Sequence, residues 1–288
     1  MKASGARAAG AWPRAFVAAT ALWALWSASC AAPLMKLPAG AGAPAPDAAD
    51  ALAQATVACR GIRTLTAEIA LSGSAGGRRV RGRLAAGVAA PASVRLEAMA
   101  PFGPPVFVFV ATRNDATLIL PRDDRILEHG RPDQVLDAVA GVPLDAADLQ
   151  TTLTGCAPAV AEPTGRAFGA DWRVVTASVG SVRYTLYLRR ERNAQPWRLV
   201  STLQTSSTDL VWRADYRDFQ NDLPRSIRVA TMDVNRPREA AFDLTLLLSQ
   251  VETNVPLGSE VFRIDVPPSA APITVDELRR ARLGIREN

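Results

Sequence analysis

From Leu65 to Val251 the chain is written almost throughout in a period of two, in segments too short for anything but single strands. L-T-A-E-I-A-L-S-G leads to a Gly76-Gly77 turn. R-R-V-R-G-R-L-A-A-G follows, with Val80 and Leu84 on one side and arginines largely on the other. S-V-R-L-E-A-M, V-F-V-F-V-A-T, A-T-L-I-L-P and R-I-L-E-H come next, joined by turns such as R-N-D and R-D-D. Alternation with turn residues between segments predicts an antiparallel meander. A second set runs from R-A-F-G-A-D-W-R-V-V-T-A through S-V-R-Y-T-L-Y-L-R, W-R-L-V-S-T-L-Q-T, T-D-L-V-W-R-A-D-Y and P-R-S-I-R-V-A-T-M to A-A-F-D-L-T-L-L-L-S-Q-V.

Helical patterns are few. D-A-A-D-A-L-A-Q-A-T-V-A-C-R, capped by Asp47, places Leu52, Ala55, Val57 and Cys59 among its apolar positions and stops at Gly61. Between the strand sets lie P-D-Q-V-L-D-A-V-A-G and D-A-A-D-L-Q-T-T-L-T-G, each closed by glycine. V-P-L-G-S-E-V-F-R-I-D-V-P-P reads as a turn and strand, and T-V-D-E-L-R-R-A-R as a terminal helix. So few helices cannot roof a wide flat sheet, and wide twisted sheets curl. The expected fold is therefore α+β: a curved antiparallel sheet forming an unclosed β-barrel, with a lid of short helices over an apolar cavity. The apolar positions Leu71, Leu84, Leu96, Val108, Leu118, Leu136, Leu149, Leu186 and Trp212 are the candidate lining.

The N-terminus has a different composition. Lys2, Arg7 and Arg14 precede the apolar run Ala15 to Trp26, too short for a stable membrane span, and S-A-S-C ends at Cys30. This is the layout of a secretory signal over residues 1–29. Small residues before Cys30 resemble the lipobox of bacterial lipoproteins, with Ser27 where leucine is usual. The alternatives are acylation of Cys30 and ordinary cleavage without lipid. With Ala31 after the cysteine, the pattern resembles that of lipoproteins exported to the outer membrane. Residues 30–46, rich in Pro and Ala, read as a tether, and residues 47–288 as one domain. Three of the five net positive charges belong to the signal, and the remaining two give no case for nucleic acid.

Cys59 and Cys156 remain, either bridged in an oxidising compartment or buried as free thiols. Lids on neighbouring helices make them a candidate disulfide. No nucleophile elbow, phosphate loop or zinc-protease motif is present. His129 has no second histidine or nearby cysteine for a metal, and P-R-D-D-R reads as a salt-bridged turn. No catalytic residue, cofactor or metal is assigned.

One turn is unusual. A-P-F-G-P-P, Ala100 to Pro105, puts Phe102 at a tip held by Pro101 and Pro104, where polar residues are the rule. Either the ring folds back onto the core or it projects. L-E-A-M-A-P-F-G-P-P resembles the strand, N-P-L-G turn and strand of the LolB outer-membrane lipoprotein receptors. V-L-D-A-V-A-G-V-P-L-D-A-A-D-L-Q-T-T-L-T-G is similar to their helix, link and helix. V-W-R-A-D-Y-R-D-F-Q-N-D-L-P-R-S-I-R-V is similar to their W-x-V-x-Y strand and following turn. The resemblance covers Asp47 to Val251, in order. It implies a lipid-anchored protein of the outer membrane, facing the periplasm, monomeric and not an enzyme. Such a protein accepts lipoprotein acyl chains from a LolA-like periplasmic carrier and passes them into the membrane; the alternative is an envelope lipoprotein of the same fold that binds another lipid or serves as a structural or partner-binding module. Phe102 falls at the family's protruding leucine.

Overall fold

The computed structural model describes residues 34–160, 163–191, 195–205, 210–233 and 241–283; the signal segment and Cys30 lie outside them. The first meander comprises β2 (Thr64–Ala75), β3 (Arg78–Ala89), β4 (Ser93–Met99), β5 (Phe107–Thr112), β6 (Asp115–Leu120) and β7 (Arg125–Gly130). The second comprises β8 (Thr164–Phe168), β9 (Trp172–Val179), β10 (Val182–Arg189), β11 (Arg198–Thr205), β12 (Leu210–Gln220), β13 (Leu223–Asp233) and β14 (Phe242–Thr253). Two-residue strands β1 (Ala43–Pro44) and β15 (Ala271–Pro272) close the two flanks. All belong to one sheet, ordered β1-β8-β9-β10-β11-β12-β13-β14-β2-β3-β4-β5-β6-β7-β15. Its two ends do not pair with each other, so the sheet is unclosed, and it is antiparallel except where β15 runs parallel to β7.

The seam between the meanders is β14 on β2. Gly73 makes it possible: its φ is +143°, and a Cβ there would stand 2.0 Å from the Asp243 carbonyl oxygen. No other residue tolerates both the backbone angle and the approach.

Four helices, α1 (Ala48–Arg60), α2 (Pro132–Ala140), α3 (Ala146–Thr154) and α4 (Val275–Leu283), pack on the sheet or on each other. Helix α3 touches both β4 and β13, which lie four strand steps apart. On a flat sheet they would be about 19 Å apart, wider than a helix of roughly 10 Å. The sheet therefore wraps around its helices. A single apolar core joins α1, α2 and α3 to strands from both meanders.

Local chemistry sets the helix ends. Asp145 accepts the Asp148 amide at 2.8 Å and starts α3, while Gly141 and Gly155 end α2 and α3 in the left-handed region. Asp47 makes no such cap. Its carboxylate instead takes Arg173 in a bidentate pair, 2.8 and 2.9 Å, which holds it below the usual carboxylate range, the hydrogen bond being the main cause. On α1 the inward stripe is Ala48, Leu52, Thr56 and Cys59, and Val57 faces water. Cys59 and Cys156 are joined by a disulfide with Cα atoms 5.5 Å apart, tying α1 to the end of α3.

Two expectations of the chain's ends change. The stretch Val255 to Pro268 is not a strand; it crosses the sheet's outer face with only a short 3₁₀ helix, Ser259–Phe262. The Pro/Ala-rich stretch is not free from residue 34 onward. The Met35 amide donates to Asp215 Oδ2 at 2.8 Å, and Arg213 donates to the Met35 carbonyl. Arg213 also pairs with Asp215 at 2.8 and 2.9 Å, and Ser201 Oγ donates to Asp215 Oδ1 at 2.7 Å. Asp215 is 1 % exposed, so this clamp is satisfied by protein alone.

Asp215→Ala would leave Arg213 buried without its counter-charge. We expect a loss of about 3 kcal/mol in urea unfolding, with faster amide exchange at Met35. Unchanged exchange at Met35 would show that the clamp does not hold this segment.

Candidate lipid-binding face and membrane-facing loop

Period two fixes which side chains meet on the concave side. Leu96, Leu118, Leu136, Leu149 and Leu186 are buried in the main core, Leu118 and Leu186 completely. Leu71, Leu84 and Trp212 are half-buried and pack against its margin. Val108 is not among them. Strand β5 is apolar on both faces: Phe109 and Ala111 enter the main core, whereas Val108 and Val110 point outward with Ile119. Phe262 and Ile264 of the C-terminal segment cover that outer trio. An unbroken apolar run does not say which face is which, and the covering segment makes both dry.

The concavity is thus filled by the protein's own side chains in its depth and open at one margin. Gly82, opposite Leu71 in the β2–β3 pair, shares the inward face with Val80 and Leu84. A Cβ placed on Gly82 would meet nothing within 4 Å. The apolar margin at Leu71, Val80 and Leu84 therefore borders free space. Strand β4 ends at Met99 opposite Arg83, so this is also where β3 loses its neighbour.

The loop from Ala100 leaves from that same point. Phe102 is 89 % exposed, and Pro101 and Pro104 are exposed beside it, so the ring does not fold back on the core. Gly103 turns the chain with φ +78°. The Val106 amide closes the loop on the Ala98 carbonyl at 2.8 Å. Arg122 braces the tip: its Nη2 donates to the Phe102 carbonyl at 2.8 Å and its Nε to that of Pro104 at 3.2 Å. P-R-D-D-R is therefore not a self-contained salt-bridged turn. Arg122 serves the neighbouring loop, Asp124 accepts from Ser269 at 3.1 Å, and Arg125 lies 3.8 Å from Glu277. His129 is exposed, 3.4 Å from Asp115.

Polar groups are sparse but present under α3. Burial, with the Asp145 carboxylate beside it, pushes the Asp148 carboxyl up to about 6. Burial and the charges of Asp148 and Asp145 push the Tyr184 phenol up to about 12, and burial raises Tyr216 as well. Trp212 Nε1 and Gln150 Oε1 are buried without a hydrogen-bond partner. The sequence marked Trp212 only as apolar; an indole carries a donor that an apolar site leaves unmet.

Two clefts lie elsewhere, on the outer face under the C-terminal segment. One of about 390 Å³ is lined by Glu68, Glu97, Glu252, Arg95 and Val261, and one of about 560 Å³ by Arg95, Val108, Ile119 and Ile264. Arg95 separates them, bonded to Glu97 and to the carbonyls of Val261 and Arg263. Both mix apolar and charged side chains: Ala85, Leu257 and Val261 stand beside the acids of the first, and Glu260 and Asp265 join the apolar residues of the second.

The chain is similar in structure to a LolA superfamily protein from Nitrosomonas europaea, at 12 % identity and TM-score 0.49, covering 75 % of this chain and 97 % of that one. It is also similar to a DUF1329 family protein from Desulfovibrio piger, at 12 % identity and TM-score 0.46, covering 75 % and 97 %. A third is a putative outer membrane lipoprotein-sorting protein domain from Vibrio parahaemolyticus, at 10 % identity and TM-score 0.46, covering 75 % and 94 %. No family model matches the chain, and no curated protein matches it in sequence.

The raised Asp148 carboxyl sets a pH dependence. Its value of about 6 in the fold exceeds the ordinary 3.8, so the native state holds more protons between those values and loses stability as pH rises through the window. We expect this to remove about 2 to 3 kcal/mol between pH 4 and 7. Asp148→Asn abolishes that slope and is the more stable protein at pH 7.5 in denaturant titrations; parallel pH profiles for parent and variant would refute the assignment.

Proposed function

We propose that this chain is an envelope lipoprotein that holds acyl chains at the open margin of its half-barrel and passes them to a membrane. The observation that carries the reading is the junction of that margin, free space beside Gly82 among Leu71, Val80 and Leu84, with a braced, exposed Phe102 loop. Burying hydrocarbon gains about 0.8 kcal/mol per CH₂, so an apolar surface that can widen is sufficient for such cargo and no covalent chemistry is required. The unmatched Trp212 and Gln150 atoms suit the ester or amide end of a lipid. Phe102 gains roughly 1.5 to 3 kcal/mol on leaving water, enough to assist a transfer and too little to anchor the protein. In the finer form of the proposal, supported by the LolB-like motifs, Cys30 is acylated as the first mature residue. The protein then sits on the outer membrane and receives lipoproteins from a LolA-like carrier.

A second reading, an envelope lipoprotein that uses the same fold as a partner-binding module, is favoured by the complete burial of Leu118 and Leu186. The two separate by experiment on the unacylated Cys30→Ser chain. With a dansyl-labelled fatty acid, the carrier binds the probe, and Gly82→Trp weakens binding about tenfold by filling the margin, equivalent to roughly two lost CH₂ contacts. Phe102→Glu keeps the fold and the probe but slows transfer of a lipoprotein to vesicles. Absence of probe binding by the parent would reject the carrier in favour of the module, and unfolding of Phe102→Glu would place the ring in the core.

A further inference from the structure

The outer face next to the Phe102 loop carries charge that the carrier reading does not use. Arg79, Arg81 and Arg83 alternate along β3 with Val80, Gly82 and Leu84, so all three arginines project from the outer face, about 7 Å apart along the strand. All are exposed, and none makes a hydrogen bond or ion pair among the described residues. The acids nearby are engaged elsewhere: Asp243 with Arg228 at 2.6 Å and Glu97 with Arg95 at 2.6 Å. Glu68, which has no ion pair among the described residues, stands opposite Ala85, one pleat beyond Arg83 and away from the loop. Each arginine lies within a screening length of about 10 Å of the next, so the row acts on a partner as a continuous field.

Apolar side chains share the same rows. Met99 pairs with Arg83 across β3–β4, and Arg83 pairs with Ala70, which pairs with Leu247 on β14. Met99 is 51 % and Leu247 50 % exposed, and Phe102 stands beyond Met99. Exposed apolar groups interleaved with cations are the composition of a surface that lies in the headgroup layer of a bilayer.

We infer that this outer face, with Arg79, Arg81 and Arg83 as its cationic row and Met99, Phe102 and Leu247 as its apolar points, docks on an anionic lipid surface through the headgroup phosphates. The inference rests on the membrane-directed part of the proposed function and names the lipid charge and the face presented. It does not depend on what the concave side carries.

The test uses the unacylated Cys30→Ser chain and vesicles of phosphatidylcholine alone or mixed equally with phosphatidylglycerol, read by co-sedimentation. The parent binds the anionic vesicles far better, and binding falls as salt is raised to about 0.5 M. Arg79→Gln/Arg81→Gln/Arg83→Gln lowers partitioning into anionic vesicles roughly 100-fold, at about 1 kcal/mol per charge, without altering fatty-acid probe binding. Arg60→Gln/Arg63→Gln/Arg113→Gln, the same charge change at the opposite end of the strands, keeps most of the binding. Phe102→Glu weakens binding to both vesicle types. Equal loss in the two triple variants would reduce the effect to net charge and overturn the face assignment. Binding that ignores salt and lipid charge, or a parent that binds no vesicle, overturns the inference too and leaves the arginines to edge protection or an acidic protein. Should the triple variant self-associate, Arg83→Gln alone with the parent's salt titration decides. A parent that ignores the fatty-acid probe yet binds anionic vesicles through these arginines would remove the carrier reading and keep this one.

Discussion

Everything in this molecule depends on how one very wide sheet dries a single face. Each strand offers alternate apolar side chains, and helices α1, α2 and α3 supply too little cover for a flat layer of that width. Wrapping is the remaining solution, because curvature lets facing strands cover each other and lets α3 reach β4 and β13 at once. In the depth of the concavity α2 and α3 pack with strands of both meanders in one core, whereas Leu71, Val80 and Leu84 at the margin are only partly buried. At the margin β3 outlasts β4, and there the apolar face, the free space at Gly82 and the projecting loop coincide.

The outer face is organised by different means. It is not apolar enough to be buried, so charge pairs and passing segments cover it locally. The Arg213–Asp215 clamp takes the N-terminal segment, and Arg95 takes the C-terminal one through two carbonyls. Where neither segment passes, at the far end of β3, the arginines stay in water. Such cations also guard an exposed strand edge against pairing with other chains, so one row of residues answers two physical demands.

The strand meander was legible because period two is a local signal, written afresh in each strand. The lid was legible from glycine stops after Ala140 and Thr154, which the structure uses as left-handed caps. What failed to show in the sequence was long-range. Val108 sits in a run that is apolar on both faces, and only Phe262 and Ile264, far along the chain, decide that its outward side is dry. Asp47 has the residue type of a cap, yet Arg173 claims it over 126 positions. Residues 34 to 46 have the composition of a linker, and composition does not reveal that one backbone pair at Met35 is held by a buried ion pair. Within the candidate site, the exposed tip at Phe102 was open to two readings, and its brace, Arg122, was hidden in a turn that looked complete by itself.

The disulfide adds a mechanical condition. Cys156 directly follows the cap of α3, and Cys59 lies in the last turn of α1, a helix seated on strands β8 to β11. With that corner stitched down, α3 cannot rise from the sheet as a loose cover. The bond spans 97 positions of sequence and joins the helix seated on β8 to β11 to the helix packed on β4 and β13, so one covalent link ties together the parts of the roof that cover opposite sides of the sheet.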